Sequence, residues 1–295
     1  MPELPEVETV RAGLAAHINN AVIGKVEVLR DRSIRQHVFG ELDFLQRLRG
    51  KKIAHVSRRG KFLWMPLLDT AAVAGSISDE ALVVHLGMSG QVLLVQPTSD
   101  REKQLRVRLE LVGAPFEIRF VDQRMFGGMH IDELVSVEHQ QRVPQSVAHI
   151  GRDALDPLLD VDSVVASIRR RTAGIKSVLL NQEIMSGVGN IYADEALWRS
   201  KLHYATPSHR LSAARIRELI THSQEIMLSA IEAGGTSFDE LYVNVNGESG
   251  WFDRTLDAYG QEGLPCARCG RPIVREAWSN RSSHRCPRCQ PRPRV

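Results

Sequence analysis

No stretch of the sequence is apolar over the roughly 20 residues that a membrane-spanning helix needs. We also expect no secretory signal, because glutamates stand where such a signal has a basic segment followed by an apolar one. Cysteine is scarce, with four residues, all of them between positions 266 and 289. We therefore expect a cytoplasmic protein with no membrane partner, in which any cysteine site lies close to the C-terminus.

The length, composition and charge of the chain limit the number of domains and the class of binding partner that we expect. The 295 residues exceed one typical domain, and 43% hydrophobic with 25% charged residues is ordinary for a globular protein with a full core. The net charge of +3 is unevenly placed, since residues 263–295 carry eight arginines and one acid, which leaves −4 on residues 1–262. A basic end on an acidic body suggests a polyanionic partner, although a charge run is also typical of a solvated face.

The first residues place an unusual nucleophile beside two carboxylates. Removal of Met1, which the small Pro2 permits, would expose the secondary amine of Pro2. Such an amine can attack an electrophilic sugar carbon and then form an iminium with the opened aldehyde, as a lysine Schiff base does. A free α-amine titrates at about pH 8, so part of it is neutral at physiological pH.

Glu3 and Glu6 flank the start of a predicted helix. Pro5 suits its first turn, and apolar residues follow at helical spacing at positions 7, 10, 14 and 18. Both glutamates could serve only to cap this helix, because its dipole favours negative charge there. That interpretation leaves Pro2 without a role, so a catalytic N-terminus is the alternative hypothesis.

The chain changes from strand-like to helix-like patterns near its middle. Alternating apolar residues predict strands at 22–29, 52–57, 62–68, 81–86, 91–95, 105–111 and 117–121. Helical spacing predicts helices at 161–170, 175–180, 191–199 and 212–233. We therefore expect an α+β multidomain protein, with a β-sandwich or flattened barrel followed by a mainly helical domain.

The cysteines form the most specific pattern. Cys266-x2-Cys269 and Cys286-x2-Cys289 are separated by sixteen residues, which is the ligand count and spacing of a tetrahedral structural zinc site. A pair of disulfides is the poorer alternative in a cytosolic protein. We expect one structural Zn²⁺ without a catalytic role, because four thiolates close its coordination shell, and no organic cofactor.

The N-terminal segment Pro-Glu-Leu-Pro-Glu-Val-Glu-Thr-Val-Arg resembles that of formamidopyrimidine-DNA glycosylases, bifunctional base-excision repair enzymes related to endonuclease VIII. Segments 58–64, 85–90, 122–128 and 187–196 and the cysteines resemble further motifs of this family in the same order. The resemblance implies a catalytic β-sandwich with an N-terminal helix over residues 1–135 and a linker over 136–152. It also implies a helix-two-turn-helix domain with a lesion-recognition loop over 153–262 and a zinc-finger hairpin over 263–295.

The resemblance also implies a reaction. Pro2 would attack C1′ of an extruded oxidised purine nucleotide, such as 8-oxoguanine or a ring-opened formamidopyrimidine, with Glu3 as acid and base and Glu6 as its positioning partner. The resulting imine would allow β- and δ-elimination. Lys61 would contact the phosphate beside the lesion and assist the first elimination, while Arg281 would assist the second.

Further residues are implied as DNA contacts. Met88 would occupy the gap left by the extruded base, Arg124 would pair with the orphaned base, and Phe126 would wedge between base pairs, which offsets the cost of unstacking. Backbone contacts are implied for His85, Lys176, Asn190 and Tyr259. Arg171 could add to the same surface, or it could lie on a solvated helix end.

This sequence departs from the family pattern in a few places. Met125 stands where many relatives have arginine or threonine, and His284 and Arg285 stand where aromatic residues are common. Gln104 replaces a DNA-contacting histidine of some relatives, with Lys103 or Arg106 as the candidate replacements. The long segment 236–260 is rich in glycine and asparagine, so we expect it to be mobile until DNA binds, and Trp251 within it could be core or a lesion contact.

Two rival functions follow from the same residues. An endonuclease VIII-type enzyme would use the same chemistry on oxidised pyrimidines. A non-catalytic zinc-ribbon DNA-binding protein would explain the cysteines and arginines but would leave Pro2, Glu3 and Lys61 without a role. The expected partner is damaged double-stranded DNA in the bacterial nucleoid, and we expect a monomer.

Overall fold

A computed structural model describes residues 2–71, 73, 76, 78–236, 243–250 and 252–293. The chain divides into two compact units, one formed by residues 1–149 with 234–251 and the other by residues 150–233 with 252–295. Within the described residues, no helix is long and apolar enough to cross a membrane.

The first unit is built from two antiparallel sheets and two helices. Its helices are α1 (Leu4–Ile18) and α2 (Gly40–Leu48). Its strands are β1 (Ile23–Val28), β2 (Lys51–Ile53), β3 (Ser57–Arg59), β4 (Phe62–Asp69), β5 (Glu80–His85), β6 (Gly90–Val95), β7 (Leu105–Leu111), β8 (Glu117–Asp122), β9 (Gly128–Ser136) and β10 (Arg142–Pro144).

The sheets confirm the predicted sandwich. One has the strand order β1-β7-β8-β6, and the other has β10-β9-β5-β4-β2 with β3 also paired to β4. Both sheets and the buried face of α1 contribute to one hydrophobic core, which includes Val7, Leu14, Leu82 and Phe120. Burial of the α1 face against the sheets fixes the start of this helix, and with it Pro2 and Glu3.

The first unit contains elements that the sequence patterns did not predict. Helix α2 buries only Phe44 and Leu48, so its apolar signal is short. Strand β10 pairs with β9 through Val143 and Val135, within the segment 136–152 that was expected to be a linker. Most of that segment therefore belongs to the folded first unit, which ends at His149.

Residues 234–251 also differ from the predicted domain boundaries, because they return to the first unit. Val245 is 3% exposed and packs in the sandwich core, and its carbonyl accepts a hydrogen bond from the Leu94 N–H (2.8 Å). A Cβ atom on Gly250 would lie 2.2 Å from the carbonyl oxygen of Gly235. The two ends of this segment therefore meet closely, and Trp251, for which two roles were predicted, lies outside the described residues.

The second unit is mainly helical, as predicted. Its helices are α3 (Val161–Arg169), α4 (Ile175–Leu179), α5 (Asn190–Arg199) and α6 (Ala213–Glu232). Side chains cap two of them, since Asp160 accepts from the Ser163 N–H (3.0 Å) and Ser212 from the Arg215 N–H (3.3 Å). A final hairpin pairs β11 (Val274–Trp278) with β12 (Arg281–Arg285).

Candidate functional site

The N-terminus of α1 brings Pro2, Glu3 and Glu6 together. Glu3 is the N-cap residue, with an extended backbone, and its N–H donates to Oε2 of Glu6 (2.9 Å). Pro2 and both glutamates are buried. The capping interpretation is therefore correct for both glutamates, because the Glu3 side chain in turn accepts from the Glu6 N–H, and the hydrogen bond to Glu6 fixes the backbone that carries Pro2. Met1, whose removal the hypothesis requires, lies outside the described residues.

The other oxygen of Glu6 binds the start of the segment that returns from the second unit. The Thr236 N–H and hydroxyl donate to Oε1 of Glu6 at 3.0 and 3.1 Å. Gly235 has φ +90°, and a Cβ atom there would lie 3.3 Å from Cγ of Glu6. Thr236 is thus a site residue that the sequence patterns did not single out, because nothing in its own sequence pointed to a carboxylate 230 residues away.

A small cavity opens beside these groups. It is lined by Pro2, Glu6, Thr9, Val10, Leu86, Gly90, Gly234, Thr236 and Val243. The lining joins the predicted nucleophile, the carboxylate that positions it and the loop that carries Met88. The sequence motifs at 2–11 and 85–90 therefore meet in space.

Lys61 and His85 form a second group, where the start of β4 meets the end of β5 in the second sheet. Lys61 follows Gly60, whose positive φ of 56° turns the chain from β3 to β4, and it is 8% exposed. His85 lies opposite Phe62 on the neighbouring strand. Burial, together with the positive charges of Lys61 and Arg35, lowers the pKa of His85 to about 4.

His85 is therefore neutral at pH 7, and its tautomer is defined. The Gly87 N–H donates to Nδ1 (3.2 Å), so Nε2 carries the proton. A neutral imidazole can donate through Nε2–H to a phosphate oxygen without adding a full charge.

The loops that carry Met88, Arg124 and Phe126 are interlocked. A Cβ atom on Gly87 (φ +63°) would lie 2.3 Å from the Gly127 nitrogen. The hydroxyl of Ser89 donates to Oδ1 of Asp122 (2.5 Å). The side chains of Met88, Arg124 and Phe126 are exposed, at 36% for Met88 and 52% for Phe126. The structure therefore places the three predicted gap-filling residues on one rigid pair of loops.

Arg106 is used inside this unit and does not replace the missing histidine of position 104. Its Nε donates to the Asp122 carbonyl (2.8 Å), its Nη2 donates to the Gln104 side chain, and it is 7% exposed. Lys103 is the other candidate that the sequence offered, and its side chain is exposed.

The prediction for Lys176 needs correction. Its ammonium is fully buried, lies 2.6 Å from Asp194, donates to the Ser282 carbonyl (3.2 Å) and lies over the Trp278 ring. A buried charge needs such partners, so these contacts account for the lysine without a phosphate. Lys176 therefore supports the finger hairpin beside Arg281.

Asn190 and Asp194, both on α5, complete this support. The Asn190 amide donates to the Ser282 carbonyl (3.1 Å), next to Arg281. Asp194 accepts from the Ser283 hydroxyl and from the His284 N–H, each at 2.8 Å. The unusual His284 thus has a structural role under the finger, and Arg285 pairs with Glu276 at 2.7 Å.

Glu195, the next residue on α5, holds the segment that contains Tyr259. Its carboxylate accepts from the N–H groups of Asp257, Ala258 and Tyr259 at 3.1, 2.8 and 2.7 Å. Burial raises the pKa of Glu195 to about 7, although the three donors favour the carboxylate. Two adjacent acids within a buried helix were a signal for such contacts that the sequence analysis did not use.

Arg281 and Arg171 lie at element ends. Arg281 is exposed and begins β12 after a two-residue turn in which Ser279 and Asn280 have φ values of 41° and 57°, as in a type I′ hairpin. Arg171 donates to the Ser167 carbonyl (2.8 Å), so at least part of its guanidinium binds the end of α3.

The four cysteines converge as the spacing predicted. Their sulfur atoms all lie within 4.8 Å of one another, and none forms a disulfide. Zn–S bonds of about 2.3 Å in a tetrahedron separate the sulfurs by about 3.8 Å, so the residues fit this metal. The site is one structural zinc site, and it holds the hairpin that carries Arg281.

Three family models match the chain in order. They describe the formamidopyrimidine-DNA glycosylase N-terminal domain over residues 1–129, the H2TH domain of that enzyme over 150–240, and a zinc finger found in FPG and IleRS over 263–292. The chain belongs to the formamidopyrimidine-DNA glycosylase family. The family confirms the predicted order of an N-terminal domain, a helix-two-turn-helix domain and a zinc finger.

Individual family members are similar along the whole chain. Formamidopyrimidine-DNA glycosylases from Nocardioides sp. and Rhodococcus erythropolis are 53% and 54% identical to it, over 100% of the chain and 96% and 99% of their own lengths. A Lactococcus lactis FPG mutant in complex with Fapy-dG-containing DNA is 30% identical, with a TM-score of 0.84 over 99% of this chain and 100% of that one. MutM in complex with DNA containing carbocyclic 8-oxo-G is also 30% identical, with a TM-score of 0.83 over the same shares.

Proposed function

We propose that this member of the formamidopyrimidine-DNA glycosylase family removes oxidised purines from duplex DNA and then cleaves the strand. The observation that carries the proposal is the buried cluster at the start of α1, where Glu6 fixes the backbone of Glu3 beside Pro2. The similar proteins named above, in complex with Fapy-dG and 8-oxo-G DNA, support a purine substrate.

The reaction uses the N-terminal amine as its nucleophile. The nitrogen of Pro2, freed from Met1, attacks C1′ and loses its proton, while the bond from C1′ to the damaged base breaks and the base leaves with that electron pair and takes up a proton. Glu3 donates a proton to O4′ as the sugar ring opens, which leaves an iminium between Pro2 and C1′. Glu6 does not touch the sugar in this scheme. It positions Pro2 through the Glu3 N–H.

The iminium then acidifies the sugar protons. Loss of a C2′ proton expels the 3′ phosphate by β-elimination, and loss of a further sugar proton expels the 5′ phosphate by δ-elimination. We assign Lys61 to the phosphate beside the lesion in the first elimination and Arg281 to the second. The product is a one-nucleotide gap.

DNA contacts are proposed for exposed or partly exposed groups. Met88, Arg124 and Phe126 fill the space of the extruded nucleotide, because an apolar wedge and a cation offset the cost of unstacking. His85, through Nε2, and Asn190 and Tyr259 contact the backbone. Arg171 contributes through the part of its side chain that is exposed, whereas the buried Lys176 does not contact DNA in this scheme.

The rival functions receive less support. An endonuclease VIII-type preference for oxidised pyrimidines has no relative or structure named above in its favour. A non-catalytic zinc-ribbon protein does not account for the buried carboxylates around Pro2. We further propose that the protein acts as a monomer on DNA in the bacterial cytoplasm, at the nucleoid.

Borohydride trapping tests the nucleophile. Reduction of the iminium should covalently join the wild-type protein to an oligonucleotide that contains 8-oxoguanine, and Pro2→Gly should abolish or strongly reduce this adduct. Arg32→Gln, in an exposed residue outside the proposed machinery, is the control for protein quality. Normal trapping by Pro2→Gly, or intact Met1 in active molecules by mass spectrometry, would overturn the proposal. Faster cleavage of thymine glycol than of 8-oxoguanine would favour the pyrimidine rival.

A further inference from the structure

The guanidinium of Arg35 binds the loop that carries Arg124 and Phe126. Its Nη2 donates to the Phe126 carbonyl (2.9 Å). Its Nη1 donates to the Gly127 carbonyl (2.9 Å) and approaches the Met125 carbonyl at 3.4 Å. The same nitrogen also donates to the Arg32 carbonyl (3.0 Å), which ties the guanidinium to its own turn. Three successive carbonyls of the loop therefore converge on one cation.

The backbone conformation of the loop brings these carbonyls together and therefore needs a donor between them. Met125 has φ +54°, a left-handed conformation that costs free energy for a residue other than glycine. Carbonyl dipoles that point to one place repel each other unless a donor lies between them. Arginine is suited to this position, because its planar guanidinium presents several N–H groups in fixed directions.

The opposite side of the loop is bound by an anion. Oδ2 of Asp122 accepts from the Gly127 N–H (2.8 Å), and Oδ1 accepts from the Arg124 N–H (3.2 Å). The Ser89 hydroxyl oxygen also accepts from the Arg124 N–H (2.9 Å). The N–H groups of Arg124 and Gly127 thus face Asp122, while the carbonyls of residues 125–127 face Arg35.

We propose that Arg35 is a positioning residue that holds the loop 124–127 in the conformation from which Phe126 and Arg124 enter the duplex. This inference rests on the proposed function, because it gives Arg35 a part in filling the gap beside an orphaned base. Arg35 does not contact the reacting atoms in this scheme. Arg35 therefore affects the rate only on duplex DNA, where the strand opposite the lesion carries an orphaned base.

The decisive experiment compares two substrates for Arg35→Gln. On a duplex with 8-oxoguanine opposite cytosine, single-turnover excision should slow about tenfold, the scale expected when several hydrogen bonds from a charged donor are lost. On a single-stranded oligonucleotide with an abasic site, strand scission should not change, since there is no orphaned base. Arg32→Gln is the matched control, on the same turn, and should leave both rates unchanged.

Salt dependence separates positioning from a direct phosphate contact. If Arg35 only positions the loop, Arg35→Gln keeps the wild-type slope of log Kd against log salt. Loss of about one unit of slope would mean that Arg35 binds a phosphate and would overturn the inference. Equal slowing on both substrates, or no slowing on the duplex, would also overturn it.

A second variant guards against a folding defect. Ser89→Ala removes the contact on the other side of the loop and should give the same duplex-specific loss. A 2-aminopurine placed opposite the lesion should report reduced loop insertion in both variants, and wild-type signals in both would contradict the inference. Failure of the wild-type protein to trap on any abasic substrate would instead refute the proposed function, whatever Arg35 does.

Discussion

Glu6 and Thr236 are joined by two hydrogen bonds to a single carboxylate oxygen, from the Thr236 N–H (3.0 Å) and from its hydroxyl (3.1 Å). Thr236 is 1% exposed and Glu6 is 7% exposed. The arrangement links the base of the segment 234–250 to the carboxylate that positions Pro2. Placement of the proposed nucleophile therefore depends on a residue far away in the sequence.

Thr236→Val should slow imine formation. The substitution keeps the shape and the Thr236 N–H donor but removes the hydroxyl donor, and loss of one hydrogen bond to the buried carboxylate costs about 1–2 kcal/mol. We expect a five- to fiftyfold lower rate of borohydride-dependent trapping, roughly in line with that cost. Thr236→Ser keeps the hydroxyl and should retain most of the rate. Equal rates for the valine and serine variants would show that the hydroxyl does not matter.

Gly87→Ala should disrupt the loops more than Gly113→Ala does. Both glycines have a positive φ, 63° and 72°, so both substitutions share a left-handed cost of about 1–2 kcal/mol. Only at position 87 does the new Cβ atom meet backbone, 2.3 Å from the Gly127 nitrogen, whereas position 113 has nothing within 4 Å. Urea unfolding should show the larger loss for Gly87→Ala, together with slower duplex excision. A similar loss in both variants would disprove the close approach.

His85 should make stability depend on pH. Its pKa of about 4 in the folded protein lies below the ordinary value of 6.5, so the folded state takes up fewer protons than the unfolded state between these values. The contribution of the neutral His85 to the free energy of unfolding is fully present above pH 6.5 and is lost as the pH falls towards 4. The unfolding free energy of wild type relative to His85→Asn should therefore fall by up to about 1.4 kcal/mol per pH unit in this range. A pH-independent difference would contradict a neutral His85.

Glu195→Gln should loosen the segment around Tyr259. A glutamine presents an NH₂ group to backbone N–H donors that now face carboxylate oxygen, which leaves donors unpaired at a cost of about 1–3 kcal/mol. We expect lower stability and faster hydrogen exchange at residues 257–259. Glu195→Asp retains the charge and should keep part of the protection. Unchanged exchange in the glutamine variant would exclude this role.

Zinc removal should release the finger hairpin. Trp198 packs in one cluster with Cys266 and Cys286, and the guanidinium of Arg268 lies 3.7 Å from the centre of its ring. A chelator should therefore remove one zinc per chain, change tryptophan fluorescence and weaken DNA binding, and added zinc should reverse all three. Full DNA affinity in metal-free protein would show that the hairpin does not depend on the metal.

Local patterns predicted seven of the strands of the first unit, most helices, the zinc ligands and the cluster at Pro2, because spacing determines which residues share a face or a metal, whereas the long strand β9 was not predicted. The contacts of Lys176 could not be predicted this way. Its partners, Asp194 and Ser282, are 18 and 106 residues away, and a lysine near a turn has the same local pattern whether it is buried or binds phosphate. The packing of Val245 in the core of the first unit could not be predicted from local sequence either, since Val245 is one apolar residue in a polar segment.

Asp194 makes the finger dependent on α5. The Ser283 hydroxyl and the His284 N–H both end on this one carboxylate, and neither contact involves a cysteine. A peptide of residues 263–295 would thus still bind zinc, but the orientation of the hairpin that carries Arg281 would not be fixed. If the zinc finger were grafted onto another scaffold, its metal affinity would be transferred. The orientation of Arg281 would be kept only if the scaffold also supplied an acid in the place of Asp194.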